Sequence, residues 1–151
     1  MEIYWKYIDK RAAAVAALKD RSFMQYILEH TDDDIKQLYE SVTDLNSVRF
    51  ERVSSSGDVH AGESKLVGVI ERESVLRHRY EEAHQYMKWF GDAWNALSED
   101  DRYVLDEFYG KEHDYGDGAI DEIAEHFHIE RSSAYRRKNR AVEKLTLLLY
   151  G

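Results

Sequence analysis

The sequence contains no cysteine and no proline. Without thiols there is no disulfide framework, no thiolate metal site and no cysteine nucleophile. The missing proline points away from loop-rich β architectures, where it marks edges and turns, and towards helices. No stretch approaches the roughly eighteen consecutive apolar residues of a membrane span. The opening MEIYWKYIDKR is broken by charges every few residues, unlike a secretory signal. A cytoplasmic, soluble, mostly helical protein is expected. What is present supports a folded core: 43% of the 151 residues are apolar, on a length suited to one domain or two small ones sharing a core.

Charge is placed unevenly. The whole chain carries a formal −9, which argues against a generic binder of polyanions. Residues 1–97 hold 17 acidic and 13 basic side chains, and residues 98–126 hold 11 acidic and 2 basic. Residues 127–151 reverse the balance, with 6 basic and 2 acidic. That local excess matters more to a polyanion than the total does.

Helical periodicity divides the chain. Tyr4, Ile8, Val15 and Leu18 recur at helical spacing over Met1 to about Leu28, with an alanine-rich run for propensity. Thr31-Asp32-Asp33-Asp34 reads as a new helix start, with Thr31 as cap and a second helix to about Leu45. Periodicity fades over 46–62, which reads as a mobile loop with an extended stretch at Val48–Val53. From Leu66 through Val69, Leu76, Tyr80, Ala83, Met87, Phe90 and Trp94 to Leu97, apolar residues alternate by three and four, interrupted only at Glu73. This heptad seam reads either as the core face of an intramolecular hairpin or as a coiled coil forming a homodimer through the 66–97 helix. The expected class is all-α, with a helical interaction or dimerisation region over 1–97 and a C-terminal trihelical helix-turn-helix domain over 98–151.

That domain opens at Ser98-Glu99-Asp100-Asp101, a capping box. A helix runs to about Tyr109, Gly110 stops it, and Lys111–Gly118 is a loop. A second helix spans about Ala119–Phe127 and a third about Arg131–Tyr150. Residues 120–139 fit a helix-turn-helix register: Ile120, Ile123 and Ala124 face inward, Phe127 and Ile129 bracket the turn, and Ala134 is small at the next buried position. His128 takes the turn position that favours left-handed backbone, which histidine tolerates better than most residues. The exposed face of the last helix then carries Arg131, Ser132, Tyr135, Arg136 and Asn139, with Lys138, Arg140 and Lys144 on its flanks. Such a helix fits the major groove of double-stranded DNA, where Arg reads guanine, Asn reads adenine and Lys neutralises phosphate.

The run Leu97–Arg102, the pair Ile123-Ala124, Ser133-Ala134-Tyr135-Arg136 and Ala141–Leu145 together resemble region 4 of sigma factors. More narrowly, the chain resembles the ArpU/RinA-like phage transcriptional regulators, in which such a module follows a helical N-terminal half. The run opening the recognition helix is here Ser132-Ser133-Ala134-Tyr135-Arg136. The resemblance covers about residues 76–150. It implies a (pro)phage regulator of late or packaging genes, associated with the nucleoid of a bacterial host. It also implies base and backbone contacts by Arg131, Ser132, Tyr135, Arg136 and Asn139; Ser133, Lys138 and Arg140 complete the expected DNA-binding set. Arg137 falls where that family usually has an apolar residue; its stem can cross the core edge so that its head pairs with Asp106 or Glu122.

Other constellations carry less. His126 and His128, with Glu122, diverge around a helix end and lack a third metal ligand. Asp114–Gly118 lacks the alternating ligands and closing glutamate of a calcium loop. Glu81-Glu82 and Glu71/Glu73 sit on a charged helix surface without a pocket. There is no phosphate-binding glycine loop and no nucleophile elbow, so no enzyme, catalytic residue, metal or cofactor is expected. The aromatics Tyr86, Trp89, Phe90 and Trp94 read as core. Besides a DNA-binding regulator, two readings remain: a module docking on RNA polymerase without its own operator, and a terminase small subunit-like DNA-recognition protein.

Overall fold

Every regular element among the described residues is helical. The computed structural model describes residues 8–50, 59–111 and 116–151, without the side chains of 44–50 and 59–62. Helix α1 spans Lys10–Phe50, α2 Val59–Ala96, α3 Glu99–Leu105, α4 Asp117–Phe127 and α5 Arg131–Tyr150. Helix α3 passes directly into a π-helical turn, Asp106–Gly110.

The N-terminal half departs from the sequence expectation at Thr31 and over 46–50 and 59–62. Thr31 does not start a helix: α1 runs through it without a break. The Thr31 side chain is buried, and its Oγ1 donates to the Ile27 carbonyl at 2.5 Å. A threonine hydroxyl can satisfy itself on the preceding turn as well as on a free N–H, so the cap signature was ambiguous. Helix α1 starts at Lys10, where Asp9 Oδ1 accepts from the Ala12 amide at 3.0 Å, and it runs on past the expected stop near Leu28. Residues 46–50 and 59–62 are also helical, which narrows the expected loop; 51–58, with half of the expected extended stretch, lie outside the described residues.

The chain divides into two compact units, each receiving part of α1 and part of α2. One comprises Met1–Phe23 with Tyr86–Gly151, the other Met24–Gln85. The first therefore draws on both sides of the expected boundary at Leu97-Ser98. Its core joins Ala17 and Leu18 of α1, Phe90, Ala93 and Trp94 of α2, Val104 and Leu105 of α3, Ile120 and Ile123 of α4, and Ala134, Ala141, Val142 and Leu145 of α5. Tyr86 stacks on Phe90 and Phe90 on Trp94, at centroid distances of 5.4 and 5.9 Å. The aromatic cluster is thus core, apart from Trp89, which is 41% exposed.

In the second unit, Ile27, Thr31, Val69 and Ala83 are buried. Glu73, the one polar interruption of the heptad seam, accepts from the Tyr39 hydroxyl and from Arg77. Those bonds hold its carboxyl below the usual range, chiefly through Tyr39. Much of the seam is spent within the chain, which leaves a homodimer through 66–97 Leu66 at its start and the off-seam Val67, Ile70, Val75 and Trp89 as exposed large apolar side chains among the described residues.

Candidate nucleic-acid interface

The basic segment is positioned by two local devices. Ser98 caps α3: its Oγ accepts from the Asp101 amide at 3.2 Å and donates to the Asp101 carboxylate at 2.9 Å. Glu99, Asp100 and Asp101 occupy the first turn, where the helix dipole favours negative charge. At the other device, His128 adopts φ 54° and ψ 47° and ends α4. Its amide bonds the Glu125 carbonyl at 3.3 Å, and the Ile129 amide bonds the Ala124 carbonyl at 3.0 Å. These two reverse bonds satisfy the last carbonyls of α4 and turn the chain within three residues into α5.

Helix α5 buries Ala134, Ala141, Val142 and Leu145. The helical period then fixes what the opposite face holds. Ser132, Arg136 and Arg140 lie along it at four-residue spacing, and all three are exposed. Neither Arg136 nor Arg140 has an ion-pair partner among the described residues.

The remaining expected contacts are committed to neighbours to different degrees. Arg131 lies 3.1 Å from Asp121 and 3.4 Å from Asp117, both on α4. The Tyr135 hydroxyl also donates to Asp117, at 3.0 Å, which pushes its pKa above the ordinary tyrosine value. Ser133 is half-buried beside the fully buried Ala134. Lys138 sets its ammonium 4.5 Å from the centre of the Phe108 ring. Desolvation there, followed by the nearby charge of Arg11, holds its pKa below the usual lysine value. Asn139 accepts from the Arg11 guanidinium at 2.9 Å. Lys144 is bound to Asp101 at 2.7 Å.

Arg137 behaves differently from the expectation. Asp106 pairs with Arg21 at 2.9 Å, and Arg137 reaches neither it nor Glu122. Its guanidinium instead covers the Phe127 ring at 4.0 Å and lies 3.7 Å from Asp100. A guanidinium can stack flat on an aromatic face, so a charged residue occupies this position without an unpaired buried charge.

Two contributors were missed from sequence. Arg11 is 128 residues from Asn139 in the chain, so no local pattern joins them. Lys10 likewise crosses to the end of α5, donating to the carbonyls of Tyr150 and Gly151 at 3.4 and 3.1 Å. A cation among the last carbonyls complements the negative end of that helix.

One of the weaker constellations resolves into packing. His126 stacks on Tyr103 at 3.9 Å. Asp114 and Tyr115 of the calcium-like tract lie outside the described residues, and Asp117 and Gly118 open α4. Among the described residues no set of three or more His, Asp or Glu side chains gathers as a metal site, and no helix is long and apolar enough to cross a membrane. The fold is all-α. No protein-family model, no curated protein and no solved structure matches the chain.

Proposed function

We propose that this protein is a sequence-specific double-stranded-DNA-binding regulator of transcription, of the ArpU/RinA-like (pro)phage kind. In this reading α3, α4 and α5 make a sigma region 4-like helix-turn-helix unit, and α5 enters the major groove. The observation that carries it is the row Ser132, Arg136 and Arg140: exposed, with neither arginine paired to a carboxylate among the described residues, on the helix that follows a left-handed turn. An acidic protein with two arginines one turn apart, unpaired among the described residues, has a surface suited to an external anion, and the helix diameter suits the groove. Arg136 is assigned to guanine, and Arg140 to guanine or phosphate. Arg131 and Tyr135, held by Asp117 and Asp121, serve the flank.

Genome-wide mapping of bound sites in the host tests this reading. A shared sequence motif under the sites, at a fixed distance from promoters, is the expected result. Sites that follow RNA polymerase without a motif select the polymerase-docking module instead. Ring-sized oligomers in solution, with sites confined to packaging origins, select a terminase-like role.

A further inference from the structure

Arg11 lies on α1, far in sequence from the basic segment, yet it meets that segment. Asp9 caps α1 through the Ala12 amide, which fixes the helix's first turn and with it the base of Arg11. The Arg11 guanidinium donates to Asn139 Oδ1 at 2.9 Å. Lys138, the preceding residue, is pinned against the Phe108 ring and partly desolvated. Its ammonium feels the Arg11 charge, and so does the Tyr109 ring below. Two cations and a carboxamide therefore converge from α1 and α5.

Their surroundings differ from those of five paired cations in the same unit. Arg21, Lys111, Arg131, Arg137 and Lys144 each have a carboxylate partner. Arg11 and Lys138 have none among the described residues, and Asp9, adjacent to Arg11, is engaged with the helix start. Gathering like charges without a counter-charge costs free energy in the free protein, and an entering anion offsets that cost. Asn139 occupies one of the five guanidinium N–H groups and leaves the fork able to grip a second acceptor. Because arginine only donates, the bond also requires Asn139 to present its oxygen to α1, which fixes the amide orientation.

We propose that Arg11 and Lys138 together seat one phosphodiester of the DNA backbone, with Asn139 as the positioning residue that aims Arg11. The start of α1 is then part of the DNA-contacting surface, and Asn139 acts through Arg11 rather than by reading adenine. This rests on the DNA-binding reading above and adds to it a contact from outside the helix-turn-helix unit.

The test is fluorescence anisotropy of the full chain on two duplexes of about 25 base pairs: one selected from a random pool, one unrelated, each over a range of NaCl concentrations. A backbone contact lowers affinity for every sequence and reduces the salt slope by about one. Arg11→Met is therefore expected to weaken both duplexes by the same factor, roughly tenfold at low salt, with the slope lower by about one. Arg11→Lys keeps most of that slope, and Asn139→Ala produces a loss in the same direction that does not add to that of Arg11→Met. Far-ultraviolet circular dichroism confirms that each variant keeps its helices. An unchanged slope in Arg11→Met, or a loss confined to the selected duplex, overturns the seat even if Arg136→Ala weakens the selected duplex. Absence of DNA binding by the unaltered chain overturns the seat and the DNA-binding reading together.

Discussion

Arg137 covers the face of Phe127, its guanidinium carbon 4.0 Å from the ring centre. Phe127 is the last residue of α4 and Arg137 lies two turns into α5, so this pair closes the turn from outside. Replacing Arg137 by alanine removes the stacked area and the Asp100 pairing, and should cost about 1 kcal/mol in urea unfolding. Arg137→Leu, which keeps an apolar cover, should unfold within about 0.5 kcal/mol of the unaltered protein.

His128 adopts left-handed backbone, a conformation that costs a residue with a Cβ about 1 kcal/mol. His128→Gly should therefore raise the unfolding midpoint by an amount equivalent to about 0.5–1 kcal/mol. Gly116 is the mirror case: it sits at φ 64°, and an added Cβ would lie 3.5 Å from the Phe108 ring. Gly116→Ala should lower the midpoint by about 1 kcal/mol equivalent.

Ser98→Ala removes the hydroxyl that both caps the Asp101 amide and orients its carboxylate. A loss of about 1 kcal/mol is expected from the cap. Because Asp101 also holds Lys144, Ser98→Ala and Lys144→Ala should be non-additive in a double-mutant cycle.

The Tyr86 hydroxyl donates to the Ala17 carbonyl, and burial, with smaller contributions from charges nearby, pushes its pKa far above the ordinary value of 10.0. The folded state thus favours the neutral phenol. That contribution is fully present below pH 10 and is lost as pH rises from there through the higher folded-state value. Urea midpoints measured across the alkaline range should fall less steeply in Tyr86→Phe than in the unaltered protein.

Sequence reasoning reached furthest where signals are local. The Ser98 capping box, the left-handed His128 and the bounds of α5 depend on residues within one or two turns of each other. It failed at Thr31, because a hydroxyl followed by three aspartates fits a helix start and also fits a helix interior whose threonine bonds the previous turn. The partner of Asn139 was out of reach of sequence for a different reason. The place of Asn139 on α5 beside Arg136 and Arg140 follows from periodicity, but its partner, Arg11, which leaves it half-buried, is brought to it only by the tertiary packing of α1. The fate of Arg137 was half legible: that its charge must leave the core followed from its position, whereas the choice of Phe127 and Asp100 over Asp106 followed from Arg21 already holding Asp106.

The central claim is tested most directly by the affinity of Arg136→Ala for the pool-selected duplex, measured beside its affinity for an unrelated duplex at one salt concentration. If Arg136 reads a base, the selected duplex should lose about 1–3 kcal/mol of binding, with relaxed preference at one position and a much smaller change on the unrelated sequence. Equal affinity of Arg136→Ala and the unaltered protein for the selected duplex would contradict the assignment of α5 as the recognition helix.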